Sequence, residues 1–366
     1  MCNPYFDNIT KNFGFGFMRL PMIGEDVDIP QTKQMVDMFL ENGFCYFDTA
    51  HGYIGGKSEL AIGECLASRY PRDKFILTNK LSGNYFETQE DIRPLFQQQL
   101  EACRVDYFDF YLMHALNAQS FARYKEAGAF ETALQLREEG KIKHLGISFH
   151  DKAAVLDQIL TEVPQIEVVQ IQFNYVDFED EKVESRKCYE VCRKHNKPVI
   201  VMEPVKGGSL VNLPQSAQKV FDKLQGGSNA SYAIRFAAGF EGMMMVLSGM
   251  SSLAQMADNL SFMKDFQPLS SEEQAAVEKV RVIFRNQALI PCTGCRYCTE
   301  VCPQEIPIPE IFARLNDKRK GQAADLKDLP GGRPQDCVRC GSCENICPQN
   351  LSIRELLVVA SEEMDA

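Results

Sequence analysis

Eight of the 14 cysteines fall into two runs of identical spacing: Cys292, Cys295, Cys298 and Cys302 before Pro303, and Cys337, Cys340, Cys343 and Cys347 before Pro348. Each run reads C-x2-C-x2-C-x3-C-P. Three thiolates on one tight loop can cap three irons of a cubane, while the fourth, carried off by the turn and the proline, ligates the other cluster. The pattern predicts two [4Fe-4S] clusters, one on Cys292, Cys295, Cys298 and Cys347, the other on Cys337, Cys340, Cys343 and Cys302. Zinc competes for four thiolates, but a tetrahedral ion takes two separated C-x2-C pairs, and the third cysteine of each run is surplus to it. A disulfide framework belongs to small secreted domains, and nothing before Gly14 resembles a basic, apolar, cleavable leader. The expected compartment is a reducing cytoplasm.

A second constellation lies far upstream. Asp48, Tyr53, Lys80 and His114 each fall at or just after the carboxyl end of a predicted strand. A phenol ionises near about 10 and is a poor acid at neutral pH, but a neighbouring ammonium favours the phenolate. Lys80 would supply that charge, Asp48 would hold Lys80 by a charge-assisted hydrogen bond, and His114 would orient a substrate oxygen or share its proton. Tyr53 could then polarise a carbonyl while hydride arrives from a nicotinamide. Taken singly, a strand-end Asp caps a helix, a loop Tyr packs and a lone His is a satisfied polar group. Their succession at strand ends singles them out.

The elements that must position these residues follow from periodicity. From Gly14 to about Met263, short apolar runs alternate with longer amphipathic stretches. Strands are expected at Gly14 to Met18, Phe44 to Asp48, Phe75 to Asn79, Phe108 to Met113, His144 to Ser148, Val168 to Gln172, Pro198 to Met202 and Met244 to Ser248. Helical patterns cover Gln31 to Asn42, Asp91 to Cys103, Phe121 to Glu139, Ala153 to Leu160, Glu181 to His195 and Ala230 to Ala238. Eight such units suit a closed (βα)8 TIM barrel, whose chemistry sits at the carboxyl ends of the strands. An open dinucleotide-binding sheet is disfavoured, because no strand-to-helix turn carries G-x-G-x-x-G. Gly207 and Gly208, after the seventh strand, could cradle a phosphate or merely form a turn.

Past the barrel, Ser270 and Glu273 read as a capped helix start running to about Gln287. The expected organisation is a barrel over residues 1–268, a linker helix over 269–288 and a small helix-rich dicluster ferredoxin-like domain over 289–366. A helix is expected over Pro309 to Arg319, followed by a polar, Gly/Pro-rich stretch from Lys320 to Gln335. With 366 residues, 45% of them hydrophobic, the chain can bury one large core and one small one. A formal charge of -11 argues against nucleic acid as a partner. No apolar run reaches the roughly 18 residues of a membrane span.

The segment Phe47-Asp48-Thr49-Ala50-His51-Gly52-Tyr53 resembles the D-T-A-x-x-Y motif of the aldo-keto reductases, and Ile76 to Lys80 and Tyr111 to His114 resemble that family's Lys and His motifs. The resemblance covers roughly residues 14 to 263. It implies NAD(P)H-dependent carbonyl chemistry with Tyr53 as general acid. By the same resemblance Ser148 and Gln170 would hold the nicotinamide carboxamide, Gly16, Met18 and Arg19 would lie beside the cofactor, and Asn259 would contact adenine. Phe149 and Met202 stand where the family often has Asn and a stacking Tyr. Gly249 and Gln255 replace the usual cations for the adenosine 2'-phosphate. The dicluster tail is similar to that of a bacterial and archaeal branch of the family.

Nicotinamide delivers two electrons as hydride, whereas a cubane passes one at a time, and no flavin fingerprint is present. Three readings stand: a carbonyl reductase whose clusters hold the tail together; an enzyme whose clusters exchange electrons with a carrier such as ferredoxin; or a redox-sensing subunit that binds nucleotide. The substrate would be a small carbonyl or alcohol, selected by the loops Ala115 to Phe121 and Pro204 to Leu213 and by the tail. Cys45, Cys65, Cys103, Cys188 and Cys192 read as core packing, and Cys2 as a terminal thiol. His51 could line the substrate pocket.

Overall fold

The computed structural model describes Phe6, residues 9–224 and residues 226–364; Cys2 lies outside the described residues. Eight parallel strands form where the apolar runs were read: β1 (Phe13–Gly16), β2 (Tyr46–Asp48), β3 (Ile76–Leu81), β4 (Phe108–Leu116), β5 (Ile142–Phe149), β6 (Val168–Gln172), β7 (Val199–Met202) and β8 (Met243–Gly249). Each pairs with the next and β8 pairs with β1, closing the barrel. Strands buried on both faces need near-continuous apolar sequence, which is why Phe108 to Met113 and Val168 to Ile171 carry hardly a polar side chain. Inside, Tyr46, Ile76, Phe110, Leu112, Val168 and Ile200 pack as one cluster with Ile9. Phe6 sits edge-on to Phe110, with ring centroids 5.1 Å apart. Gly14 makes room for these large neighbours, since a Cβ there would lie 2.8 Å from the Leu247 side chain and 3.0 Å from Tyr46.

In chain order the helices up to the last strand and its helix are α1 (Ile29–Glu41), α2 (Lys57–Ile62), α3 (Gln89–Cys103), α4 (Ala118–Glu126), α5 (Ala129–Glu138), α6 (Ala153–Glu162), α7 (Ser185–Lys194), α8 (Gln215–Phe221), α9 (Asn229–Ala238) and α10 (Leu253–Met263), of which α8 falls in the unit that holds the C-terminal helices. Two departures from the sequence reading have local causes. The single helix expected from Phe121 to Glu139 is broken into α4 and α5, because Gly128 takes φ 62° between them. The first strand stops at Gly16, and Phe17–Arg19 turn into a short 3-10 helix. The short helices α2 and α8 were not foreseen.

By contacts within the chain, two compact units emerge: Met1–Pro204 with Gly226–Gln274, and Val205–Gln225 with Ala275–Ala366. The second unit contains most of α11 (Ser271–Arg285), then α12 (Tyr297–Glu300), α13 (Ile308–Arg319), α14 (Ser342–Asn345) and α15 (Ile353–Met364). Among its described residues there is no strand, in line with a helix-rich dicluster module. Its core is small: Ile290, Ile306, Ile311, Phe312, Leu315 and Leu357 pack around the buried Cys298 and Cys343. No helix among the described residues is long and apolar enough to cross a membrane.

Candidate active site and cysteine cavities

Parallel register aligns the ends of the first strands. Gly16 stands beside Asp48 on one side and Gly249 on the other, Asp48 stands beside Thr78, and Lys80 lies one pleat beyond Thr78 on the same face. The Lys80 ammonium donates to Asp48 Oδ1 at 2.6 Å and to the Thr49 carbonyl at 2.8 Å. Both side chains are buried, Lys80 completely. Burial pushes the Asp48 carboxyl up and the Lys80 ammonium down, each opposed by the charge of the other. Lys80 Nζ also sits 5.0 Å from the centre of the Tyr53 ring. The His114 ring meets Tyr53 edge-on, centroids 5.8 Å apart. Burial, then the nearby Lys80 charge and His150, hold His114 well below the ordinary imidazole value. All four residues named from the sequence are therefore brought together.

Other members of the site were not named from sequence. Ser82 Oγ lies 2.7 Å from His114 Nδ1. Its signal was available: Ser82 is two residues beyond Lys80, on the same face of an extended segment. Glu59, on α2, is almost fully buried and accepts from Asn79 Nδ2 at 2.8 Å and Gln99 Nε2 at 3.1 Å, and its Oε2 lies 2.8 Å from His51 Nδ1. Gln99 also donates to the Lys80 carbonyl at 3.0 Å and accepts from the Tyr111 hydroxyl at 2.6 Å. This network braces the strand that carries Lys80 and satisfies a buried carboxylate with several donors. It joins helices to strands, and no local pattern announces it. The backbone after Tyr53 is strained, with Ile54 at φ 53°, a left-handed conformation that is costly for a β-branched residue.

The residues assigned to a nicotinamide cofactor also lie at strand ends. Ser148, in β5, stands beside Gln170 of β6, and both are buried. Ser148 Oγ accepts from the Ala115 backbone at 2.7 Å. Gln172 stands beside Met202, at the end of β7. Met18 and Arg19 follow Gly16, and Arg19 Nη2 is 3.7 Å from Glu203 Oε1. Asn259 donates to Ser248 Oγ at 2.8 Å, and the Gln255 side-chain oxygen is folded back to accept from Ser251 N at 2.8 Å. Asp48 Oδ2 is buried and has no hydrogen-bond partner among the described residues, so a hydroxyl donor on a bound cofactor or substrate would suit it.

The cysteines gather in two cavities of about 320 Å³ each. Cys292, Cys295, Cys298 and Cys347 line one, backed by Ile308, Phe312, Leu351 and Ile353. Cys302, Cys337, Cys340 and Cys343 line the other, beside Val338 and Leu357. The last cysteine of each run thus enters the other run's cavity. Among the described residues no three Cys, His, Asp or Glu converge at the spacing of a single ion. Four cysteines lining one cavity without converging on a single point fit a cubane, which takes one thiolate per iron, better than a zinc knuckle. Burial and then the neighbouring Cys295, Cys292 and Cys347 push the Cys298 thiol up. Such a set repels itself when ionised, so its chemistry calls for a cationic centre. Of the other cysteines, Cys65, Cys103, Cys188 and Cys192 are buried and form no disulfide, and burial pushes the Cys65 thiol up to about 11. Gly207 serves close packing rather than an evident phosphate cradle: a Cβ there would lie 2.4 Å from the Thr293 carbonyl oxygen.

Comparison with known proteins agrees with this architecture. Residues 12–282 match the aldo/keto reductase family, and residues 291–351 match a 4Fe-4S dicluster domain. The chain belongs to the aldo/keto reductase family. A norsolorinic acid reductase from Aspergillus flavus is 29% identical over 152 residues, 38% of this chain and 37% of that protein. An NADH-specific methylglyoxal reductase from Escherichia coli is 24% identical over 195 residues, 48% of this chain and 57% of its own length. The chain thus spans between about a third and just over half the length of these curated relatives. An aldo-keto reductase from Bacillus halodurans, in its holo form, superimposes with a TM-score of 0.60 at 24% identity, covering 74% of this chain and 91% of that one. An aldo-keto reductase from Klebsiella pneumoniae in complex with NADPH gives a TM-score of 0.60 at 18% identity, covering 74% and 90%. These similarities establish the barrel fold.

Proposed function

We propose that the chain is an NAD(P)H-dependent oxidoreductase that interconverts a small carbonyl and its alcohol, and that it carries two [4Fe-4S] clusters. The observation that carries the catalytic half is the buried Lys80–Asp48 pair lying against Tyr53, with His114 beside them. Tyr53 Oη would donate the proton to the carbonyl oxygen, and Lys80, kept charged by Asp48 and the Thr49 carbonyl, would stabilise the phenolate left behind. A neutral His114 whose Nδ1 accepts from the Ser82 hydroxyl keeps its proton on Nε2, where it can hydrogen-bond to the same oxygen. Ser148, Gln170, Met202 and the residues Gly16, Met18 and Arg19 would hold the cofactor, with Asn259, Gly249 and Gln255 toward its adenosine end. A bound nicotinamide supplies the hydride. The Klebsiella structure holds NADPH and the Escherichia coli relative is named for NADH, so either nucleotide is a candidate here.

Tyr53→Phe should lower the turnover number by about 10²- to 10⁴-fold, the worth of a positioned proton donor, with the cluster absorbance intact. Turnover retained in that variant would remove the tetrad reading. A second reading is favoured by the exposure of Cys340, which brings one ligand of the second cavity to the surface where an electron-carrier protein could approach. Chemically reduced clusters would then reoxidise when substrate is added; clusters that stay reduced through turnover exclude it.

A further inference from the structure

Tyr53 is carried on a loop that is cross-linked to itself across the phenol. Thr49 Oγ1 lies 2.7 Å from Ser58 Oγ, which donates to the Phe17 carbonyl at 3.0 Å, and His51 Nδ1 lies 2.8 Å from Glu59 Oε2. Each pair joins a residue before Tyr53 to one after it. Between them the backbone is left-handed at Ile54, Gly55 and Gly56, with φ of 53°, 60° and 85°. A β-branched residue keeps that conformation only where its surroundings impose it. The His51 ring also meets Tyr85 edge-on, centroids 4.6 Å apart, which ties the loop to the segment after β3.

Glu59 is where these ties meet the strand of Lys80. It is 1% exposed, and the oxygen not engaged with His51 accepts from Asn79 Nδ2 and Gln99 Nε2. Asn79 Oδ1 accepts from the Lys80 N–H at 2.8 Å, and Gln99 Nε2 donates to the Lys80 carbonyl at 3.0 Å. One carboxylate therefore grips the Tyr53 loop with one oxygen and, through two amides, the N–H and carbonyl of Lys80 with the other. An acid and the cation that tunes it act together only at a fixed separation, and a displacement of about 1 Å can cost about 10²-fold in rate. We propose that Glu59, with His51 as its arm, is a positioning residue that sets how closely Tyr53 stands to Lys80, and so how strongly the ammonium favours the phenolate. The inference rests on the tetrad reading and extends it to two side chains outside the tetrad.

The test uses the full chain, purified anaerobically with clusters loaded, and compares His51→Ala with His51→Asn, whose amide can still donate to Glu59. Tyr53 is read without any substrate, as the ultraviolet phenolate signal that the parent shows and Tyr53→Phe lacks. Lys80, its partner Asp48 and His114 are the titratable groups placed about the ring, and none of them is changed. His51→Ala should weaken the Tyr53 phenol as an acid about tenfold, one pH unit upward, as the ring moves off the ammonium. His51→Asn should titrate like the parent. With 4-nitrobenzaldehyde and NADH or NADPH, His51→Ala should lose about tenfold in kcat at little change in KM, and His51→Asn should recover it. Glu59→Ala should shift the titration at least as far; should it fail to fold, the His51 pair decides, and the titration decides alone if that aldehyde is not reduced. A Tyr53→Phe variant as active as the parent would remove the tetrad reading and this inference with it. If Tyr53→Phe is inactive while His51→Ala titrates like the parent, the tetrad stands and the inference is overturned. The same holds if the two His51 variants lose equally, or if only KM rises, which would make His51 a wall of the substrate pocket.

Discussion

The barrel mouth and the cysteine cavities both bury groups that can carry charge, but they balance it differently. At the mouth, Lys80 and Asp48 cancel within one 2.6 Å contact, and Glu59 is surrounded by donors from Asn79 and Gln99. The protein's own side chains supply the partners of both groups there. At the cavities, four cysteines line each wall with arginines beside them, Arg296 at one and Arg339 and Arg354 at the other, and Cys298 and Cys343 sit inside the small apolar core. The difference teaches that the two regions should depend on their cofactors to different degrees. The barrel is closed by its own strands, whereas the C-terminal unit matches a 4Fe-4S dicluster domain and, on the proposed reading, is organised around clusters that it must acquire. Structural metal sites supply folding energy outright, and a core this small has little else to draw on.

Removing the iron should therefore have the largest and most local effect. Chelation under reducing conditions is expected to bring amide exchange in α13 and α15 close to unfolded rates, while β1 to β8 stay protected. The contact partition sharpens this: residues 205–225 should lose protection with the tail, and residues 226–274 should not. Hydrogen-exchange mass spectrometry reads both. Exchange that rises evenly over the whole chain, or not at all, would break the contrast between a self-sufficient barrel and a cofactor-dependent tail.

The second perturbation attacks the balance at the mouth. Lys80→Met leaves Asp48 buried without its partner and should cost the barrel about 3–5 kcal/mol, the usual loss when one member of a buried pair is removed. Cluster absorbance should be unaffected. Adding Asp48→Leu removes the stranded charge and should restore most of that stability without restoring carbonyl reduction. Thermal unfolding followed in the far ultraviolet, with turnover measured in parallel, separates the two effects. A single variant as stable as the parent would mean that the pair is solvated.

How much of this was legible in the sequence depends on how far apart the cooperating residues lie. The cysteine runs are local, and the order of their spacing already implied that Cys302 and Cys347 exchange places, as the two cavities show. The tetrad residues each end a strand, so strand periodicity and barrel topology were enough to bring Asp48, Lys80 and His114 to one end. Ser82 could have been found by the same two-residue period. The Glu59 network could not, because it joins α2, α3 and two strands through contacts that leave no period behind. Nor could the fate of Val205–Gln225: nothing in Lys206-Gly207-Gly208 distinguishes a barrel loop from one that belongs to the same compact unit as Thr293 and packs on it. The split of the expected Phe121 to Glu139 helix was missed because the apolar period runs on through Gly128, and only its φ of 62° breaks the helix.

The smallest expected effect concerns protons, and it tests how dry the mouth is. His114 titrates well below the ordinary imidazole value of about 6.5 in the folded chain, because burial and the Lys80 charge oppose its ionisation. The unfolded chain binds that proton more readily, so stability rises with pH across the window between the two values. The contribution is fully present above about 6.5 and is lost as pH falls toward the folded value. One group of this kind changes stability by at most about 1.4 kcal/mol per pH unit. His114→Gln, which cannot titrate, should remove that slope. Urea unfolding of the barrel near neutrality and at mildly acid pH should show the parent losing about 1 kcal/mol more than the variant for each unit of pH within that window. Parallel losses would mean that His114 is hydrated and freely protonated, and the mouth would then hold its charges no more tightly than the tail does.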